Sequence, residues 1–499
     1  MTGVTEFARR ISANFYGAYR DLWEDLDMRP VIALIALLLS AACAHQRPLA
    51  DANCLYPAYP LKTPVGEASA ATNAAGLSGA GAKAAGSSPF YDMMERALKE
   101  RRNYLADEMG AADQVLALSG GSQNGAFGAG FFLGLSERGE APRYDIVTGV
   151  STGALQSTFL FLAGEPRVSD RIYPSDLGFS QDGPDEGPPG ALKKIEKNSG
   201  WVSDLAIGFS IRNESSLLKR KDNFFFGKFG AALIDGSAAT LAPAQQRLET
   251  FLTDEALGQI RKAAAANRLL LVGVTNLDDG EAYAIDLTGL AASIKSDDTL
   301  RRCYARAVIA SSTVPLGAPP VTLRLLSMNT PEAGGTEIEG LFIDGGARFA
   351  LFLDQVLNLA KEKEDRTPLD VTAIVNGSLF PRKWTDADGQ RVKKWSILNV
   401  GLRSIDILQN QVTQFSLDAV EAPGKRPGVT RIAYIGAPAA DGKAPEDFEV
   451  DGRTCKAWRK IDEEELKPFE FFPRTMRCLL EYGHSRGAAD SWDKEIERQ

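Results

Sequence analysis

The chain has only two histidines in 499 residues, His45 and His484. A serine hydrolase normally needs a base for the hydroxyl proton, and histidine is the usual one. His45 stands just behind a short apolar segment near the N-terminus, outside any folded domain. His484 falls in a helix predicted over 473–486, in Glu481-Tyr-Gly-His-Ser-Arg486, which reads as a solvated helix end. Histidines late in a chain do return to nucleophilic serines in some folds, so His484 stays an alternative base. None of the five cysteines forms a C-x-x-C pair, which removes the commonest cysteine metal site, and no metal or other cofactor is expected. The formal net charge is −9 and no basic stripe is present, which argues against a nucleic-acid partner and gives no help on anionic lipid surfaces. No internal repeat is visible. The apolar run Val31 to Ala42 holds twelve residues, whereas a bilayer span needs about 20.

What is present is a set of glycine turns at predicted strand ends. Asp145-Ile-Val-Thr-Gly-Val-Ser-Thr-Gly-Ala154 reads as a strand, a G-x-S-x-G turn (Gly149, Ser151, Gly153) and a helix. Such a sharp strand-to-helix turn exposes the Ser151 hydroxyl and sets it at the positive end of the helix. Upstream, Val115 to Leu118 is a buried parallel strand by length and composition. It runs into Gly120-Gly-Ser-Gln-Asn-Gly125 and a helix over about 126–137. A Gly-rich strand-to-helix turn exposes backbone N–H groups that bind an anion, either a phosphate or an oxyanion developing during acyl transfer. The segment lacks the G-x-G-x-x-G spacing of a dinucleotide site, and no acidic ribose partner follows. Downstream, Leu341-Phe-Ile-Asp-Gly-Gly-Ala347 places Asp344 after a strand end and before two glycines. In an open α/β sheet the carboxyl ends of the strands share one edge, so Gly120, Ser151 and Asp344 are expected to meet there.

These three motifs, in this order, resemble the patatin-like phospholipase family. Ala307-Val-Ile-Ala-Ser-Ser-Thr-Val-Pro315 is similar to the family's helix-to-proline segment, and Leu269 to Asn276 to a central strand. The resemblance covers about residues 113–350. It implies a three-layer α/β/α fold with a mostly parallel sheet, and a Ser–Asp dyad without histidine. Ser151 would be the nucleophile, Asp344 its base, and Gly120, Gly121 and Ser122 the oxyanion hole. The implied activity is acyl-ester hydrolysis on a lipid or phospholipid, without a metal. The family's third turn glycine is Ser122 here, its usual basic residue is Asn124, and Arg348 follows Asp344 where the family often has Asn-x-Pro. Arg348 would hold a substrate phosphate or form a surface ion pair. These departures leave the head group open. Two other readings stand beside this one: an α/β-hydrolase esterase using Ser151 and His484, and a patatin-shaped lipid-binding envelope protein with little turnover.

The N-terminal run ends in Leu39-Ser-Ala-Ala-Cys43, which looks like a bacterial lipobox with Ser40 where leucine is usual. Met28-Arg-Pro before it makes a compact basic start, so Met28 is read as the true start and Cys43 as the lipidated first residue. A cleaved secretory signal and an uncleaved short anchor are the alternatives. The expected location is the bacterial cell envelope, at the outer membrane or its periplasmic face. Of the remaining Cys54, Cys303, Cys455 and Cys478, an exported protein could pair Cys455 with Cys478; one buried thiol each is the other reading. The expected organisation is a signal and lipobox over 1–43, a tether over 44–112 with an Ala/Gly/Ser-rich linker, a catalytic core over 113–355, and an α/β continuation over 356–499. A stretch over 191–229 with Phe224-Phe-Phe226 is a candidate lid or interfacial surface.

Overall fold

The computed structural model describes residues 47–61, 88–105, 111–139, 143–168, 200–221, 237–328, 334–359, 367–377, 379, 397–418, 426–435 and 444–498. Contacts divide the chain into 1–46 with 222–238, and 47–221 with 239–499. The second unit holds all the described residues except Ser237 and Ala238. The Cys43 segment, the Gly66–Gly86 part of the linker and Phe224 to Phe226 lie outside the described residues.

Ten strands form the main sheet: β1 (Leu55–Pro60), β2 (Asp113–Leu118), β3 (Ile146–Val150), β4 (Leu269–Asn276), β5 (Ala282–Asp286), β6 (Val321–Ser327), β7 (Thr336–Asp344), β8 (Leu369–Val375), β9 (Gly428–Tyr434) and β10 (Lys494–Arg498). Their order is β10-β9-β8-β2-β3-β4-β5-β1-β6-β7. The run β9-β8-β2-β3-β4 is parallel throughout. Side chains on β2 alternate between two cores, because successive residues of a strand point to opposite faces. Leu116 and Leu118 pack into one core and Val115 and Ala117 into the other. Helices α1 (Pro89–Tyr104), α2 (Gly125–Glu137), α3 (Thr152–Phe161), α4 (Trp201–Phe209), α5 (Asp297–Ala310), α6 (Ile397–Asp418), α7 (Cys455–Glu465) and α8 (Pro473–Ala488) are among those flanking it. The architecture is the three-layer α/β/α fold expected, with apolar layers on both faces as a parallel sheet requires. Among the described residues no helix is long and apolar enough to cross a membrane.

The other half of the sheet departs from the pattern. β4 to β5, β5 to β1, β6 to β7 and β7 to β4 are antiparallel, and only β1 to β6 is parallel. These five strands close a circuit. Asp344 therefore reaches the site on an antiparallel strand, not at the carboxyl end of a parallel one as the glycine motif suggested. Leu55–Pro60, inside the stretch expected as a tether, is the strand that links β5 to β6. Two disulfides are present, Cys54–Cys303 and the anticipated Cys455–Cys478.

Candidate active site

Register brings Ser151 and Asp344 together. Val150 of β3 pairs with Gly273 of β4, and Asp344 of β7 pairs with the next residue, Val274. At Val274 and Thr275, β5 occupies one side of β4, so β7 must take the other side, in line with β3. The carboxyl ends of β3 and β7 thus meet head-on along a common neighbour. Ser151 follows β3 directly, and Asp344 ends β7.

The elbow is tight. Ser151 has φ 55°, ψ −125°, a region that non-glycine residues occupy only under constraint. A Cβ on Gly149 would lie 2.4 Å from Gly153 O, and one on Gly153 would lie 2.4 Å from Leu118 O. Only glycine lets the helix fold back this close to the strand, which is why the pentapeptide has its form.

Three residues after α5 hold the elbow from behind. Ser311 Oγ accepts from Ser151 N at 3.0 Å and donates to Gly273 O at 2.6 Å. Ser312 Oγ donates to Ser151 O at 3.1 Å. Thr313 O accepts from Asp344 N at 3.1 Å. One segment therefore fixes the backbone of both residues. The sequence displayed it as the Ser-Ser-Thr before Pro315, but without a role. Ser311→Ala would leave the Ser151 N–H without its acceptor in a fully buried setting. The expected result is about tenfold lower kcat at nearly constant KM, from about 1–3 kcal/mol of lost positioning. Steady-state kinetics on a folded variant check this; a change in KM alone would remove the positioning role.

Asp344 is fully buried. Burial pushes its carboxyl from 3.8 up to about 6, opposed by the Ser151 hydroxyl and the Gly346 amide, which both favour the charged form. Gly346 N donates to Oδ1 at 2.6 Å, and Oδ2 has no hydrogen-bond partner among the described residues.

On the other side of Ser151 lies the turn after β2. A Cβ on Gly120 would sit 2.9 Å from Ser151 Cβ and 3.4 Å from its Oγ. The N–H groups of Gly120 and Gly121 donate to no acceptor among the described residues, whereas the neighbouring Ser119 and Asn124 amides are bonded. A buried network holds this turn. Ser119 Oγ donates to Gly120 O and accepts from Asn376 N, Asn376 Nδ2 donates to Gln156 Oε1, and Gln156 Nε2 donates to Gly125 O. Thr152 Oγ1 donates to Ser122 O at 2.9 Å, joining the two turns. Ser122 itself has φ 51°, a conformation in which glycine would be unstrained.

Ser151, Asp344, Gly120, Gly121 and Ser122 all line one cavity of about 520 Å³, within the size range of ligand sites, roughly 300–1,000 Å³. Part of its wall is apolar, with Phe159, Leu248 and Phe251 from the core. Another wall comes from the C-terminal region: α6 supplies Arg403, Asp406 and Thr413, and the approach to α8 supplies Phe469 to Phe472. Sequence reasoning assigned this region no role.

His484 is elsewhere. Its Nε2 is 2.8 Å from Glu137 Oε2 at the far end of α2, and its backbone packs on Gly130 and Gly134. The site lies at the start of that helix, so Gly134 is about 14 Å along it. Arg348 pairs with Glu281 at 3.7 Å, both half-exposed, and does not line the cavity. Among the described residues no group of three or more His, Cys, Asp or Glu side chains gathers as a metal site.

Residues 116–357 match the family model described as patatin-like phospholipase. No curated protein matches. Among solved structures, the chain is similar to VipD from Legionella pneumophila at 14% identity, over 62% of this chain and 67% of that one, with a TM-score of 0.20. A superposition that weak carries no argument.

Proposed function

We propose, from the premise that residues 116–357 belong to the patatin-like phospholipase family, that this lipid hydrolase cleaves carboxylic esters of lipids with Ser151 as nucleophile and Asp344 as its base. The observation that carries the reading is the head-on meeting of β3 and β7, next to two amides that donate to no acceptor among the described residues, on a cavity they share with Phe159, Leu248 and Phe251.

In this reading Ser151 Oγ attacks the ester carbonyl carbon as its proton passes to Asp344. The carbonyl oxygen becomes an oxyanion, stabilised by the Gly120 and Gly121 N–H groups, with the Ser122 amide the third donor expected from the motif. The intermediate collapses, the alcohol leaves with the proton from Asp344, and an acyl ester remains on Ser151. Water then attacks that ester while Asp344 takes its proton, and the fatty acid departs as Ser151 recovers its hydrogen. Burial suits Asp344 to this work, because a carboxylate near 6 is a stronger base than a free one near 3.9. The apolar wall is suited to the acyl chain.

A fluorophosphonate probe followed by intact mass tests the reading. Wild type and His484→Ala are expected to gain one probe mass, and Ser151→Ala none. Labelling of Ser151→Ala, or loss of labelling in a folded His484→Ala, would remove the dyad. Unlabelled wild type would favour a lipid-binding protein without turnover. Attachment to a membrane through Cys43 is part of the same proposal, supported by the lipobox-like segment and by two disulfides of the kind that persist outside the cytoplasm. The mass of the same protein purified from its envelope carries the acyl groups on Cys43 if this holds; a mature chain with unmodified residues upstream of Cys43 ends it.

A further inference from the structure

The charged lining of the cavity is unevenly matched. Among the described residues three arginines line it, and each is already engaged. Arg247 donates to the backbone carbonyls of Ile207, Gly208 and Ser210. Arg403 pairs with Asp406. Arg459 pairs with Glu463 at 3.0 Å and lies 4.2 Å over the Phe472 ring. Glu470 has no ion pair among the described residues and is one of those that line the cavity.

Its position is fixed from behind. The Glu214 carboxylate accepts from the N–H groups of Phe469, Glu470 and Phe471 at 2.9, 2.5 and 3.0 Å, and is itself paired with Arg220 at 2.7 Å. Swinging the segment away would strip three amides of their acceptor at once. The Glu470 carboxylate faces the Ser122 hydroxyl, on the turn that carries the oxyanion amides; burial pushes it above the ordinary carboxylate range, opposed by that hydroxyl and by Arg459. That turn brings no positive charge of its own, since Asn124 stands where a basic residue would. Among the described residues, a second anion brought near the reacting carbonyl therefore meets a carboxylate and no uncommitted guanidinium.

We propose that Glu470 selects the head group, so that the site takes acyl esters whose polar end is uncharged or ends in an ammonium group, and rejects a net-anionic phosphate end. The proposal rests on the hydrolase reading above. The physical cause is that like charges repel more strongly in a partly desolvated cavity than in water, whereas a hydroxyl or an ammonium can donate to the Glu470 carboxylate. Glu470 lies outside residues 116–357, so this selection belongs to the C-terminal region and not to the part of the chain that carries the dyad.

The test compares a monoacylglycerol, a lysophosphatidylcholine and a lysophosphatidic acid with one acyl chain, each dilute in neutral detergent micelles so that surface charge is equal. Wild type is expected to show kcat/KM about tenfold or more higher for the first two than for the third, and Glu470→Gln to narrow that ratio about tenfold, the equivalent of about 1.4 kcal/mol. Equal kcat/KM on all three, or an unchanged ratio in a folded Glu470→Gln variant, overturns the proposal. If wild type cleaves none of them and takes no probe, the hydrolase reading has failed. Selection is then read from binding of the non-cleavable ether analogues to Ser151→Ala, with and without Glu470→Gln. A tenfold preference that depends on Glu470 still supports selection, and equal binding ends it.

Discussion

Asp344→Asn is expected to lower kcat by about 10²–10⁴-fold, the usual contribution of a positioned base, while making the protein more stable at neutral pH. Both effects come from one buried carboxyl. In the proposed reaction the base must be charged to take the serine proton, so wild-type kcat/KM should rise with pH and level off above about 6, where Asp344 is ionised. An ordinary carboxylate would place that limb near 3.9. The stability change has the opposite sense. Raising a carboxyl from 3.8 to about 6 corresponds to about 3 kcal/mol. Below pH 4 both folded and unfolded chains hold the proton, and nothing is lost. As pH climbs from about 4 through about 6, the unfolded chain ionises first and the folded state loses that stability, after which the loss is constant. Asparagine escapes it and keeps an Oδ1 to accept from Gly346 N, which donates at 2.6 Å in wild type. Denaturant unfolding at pH 4 and pH 7.5, beside a pH–rate profile, checks both halves. An inactive variant that is also less stable at pH 7.5 would mean that Asp344 is held mainly as structure.

The second large effect is expected from the Cys54–Cys303 disulfide. It joins residues 249 positions apart, whereas Cys455–Cys478 spans 23. A cross-link removes more freedom from the unfolded chain as its loop lengthens, so the long loop is worth about 5 kcal/mol in the chain-entropy account and the short one about 3. Replacing both Cys54 and Cys303 by serine should therefore cost more stability than replacing Cys455 and Cys478, within an overall range of about 2–5 kcal/mol. The long link has a local consequence as well. Cys303 lies on α5, the helix that delivers Ser311, Ser312 and Thr313 to the elbow, and Cys54 directly precedes β1. Tyr56 of β1 donates to Cys303 O at 3.1 Å. Activity should fall at a lower denaturant concentration than bulk structure when this link is absent. The order of the two disulfides is read from guanidinium midpoints, and a costlier Cys455–Cys478 replacement would contradict the argument.

The glycine turns and Asp344 were readable because each is local: a strand end, then residues that only a tight turn demands. The helix now seen over Pro473–Ala488 was expected over 473–486, and the strand over Leu269–Asn276 came from the family resemblance. Pairing is not local. Nothing in Leu55-Tyr-Pro-Ala-Tyr-Pro60 announces a strand, since two prolines weaken the pattern and its partners lie more than two hundred residues away. The antiparallel arrival of β7 was hidden because Asp-Gly-Gly describes a turn without saying which way its strand runs. Glu470 had one signal, a lone charge in the aromatic run Phe469-Glu-Phe-Phe472. Its meaning depends on Glu214, which is distant in sequence.

Because β3 and β7 end against consecutive residues of β4, that strand acts as a ruler for the proposed dyad. Lengthening the chain between β6 and β7, or ahead of β3, leaves the spacing of Ser151 and Asp344 untouched. One residue inserted between Leu269 and Val274 would shift one strand end against the other by about 3.3 Å and turn alternate side chains to the opposite face. Tolerance to insertion should thus be lowest in a strand that contributes no side chain to the chemistry, and selection for activity would act there on length before identity.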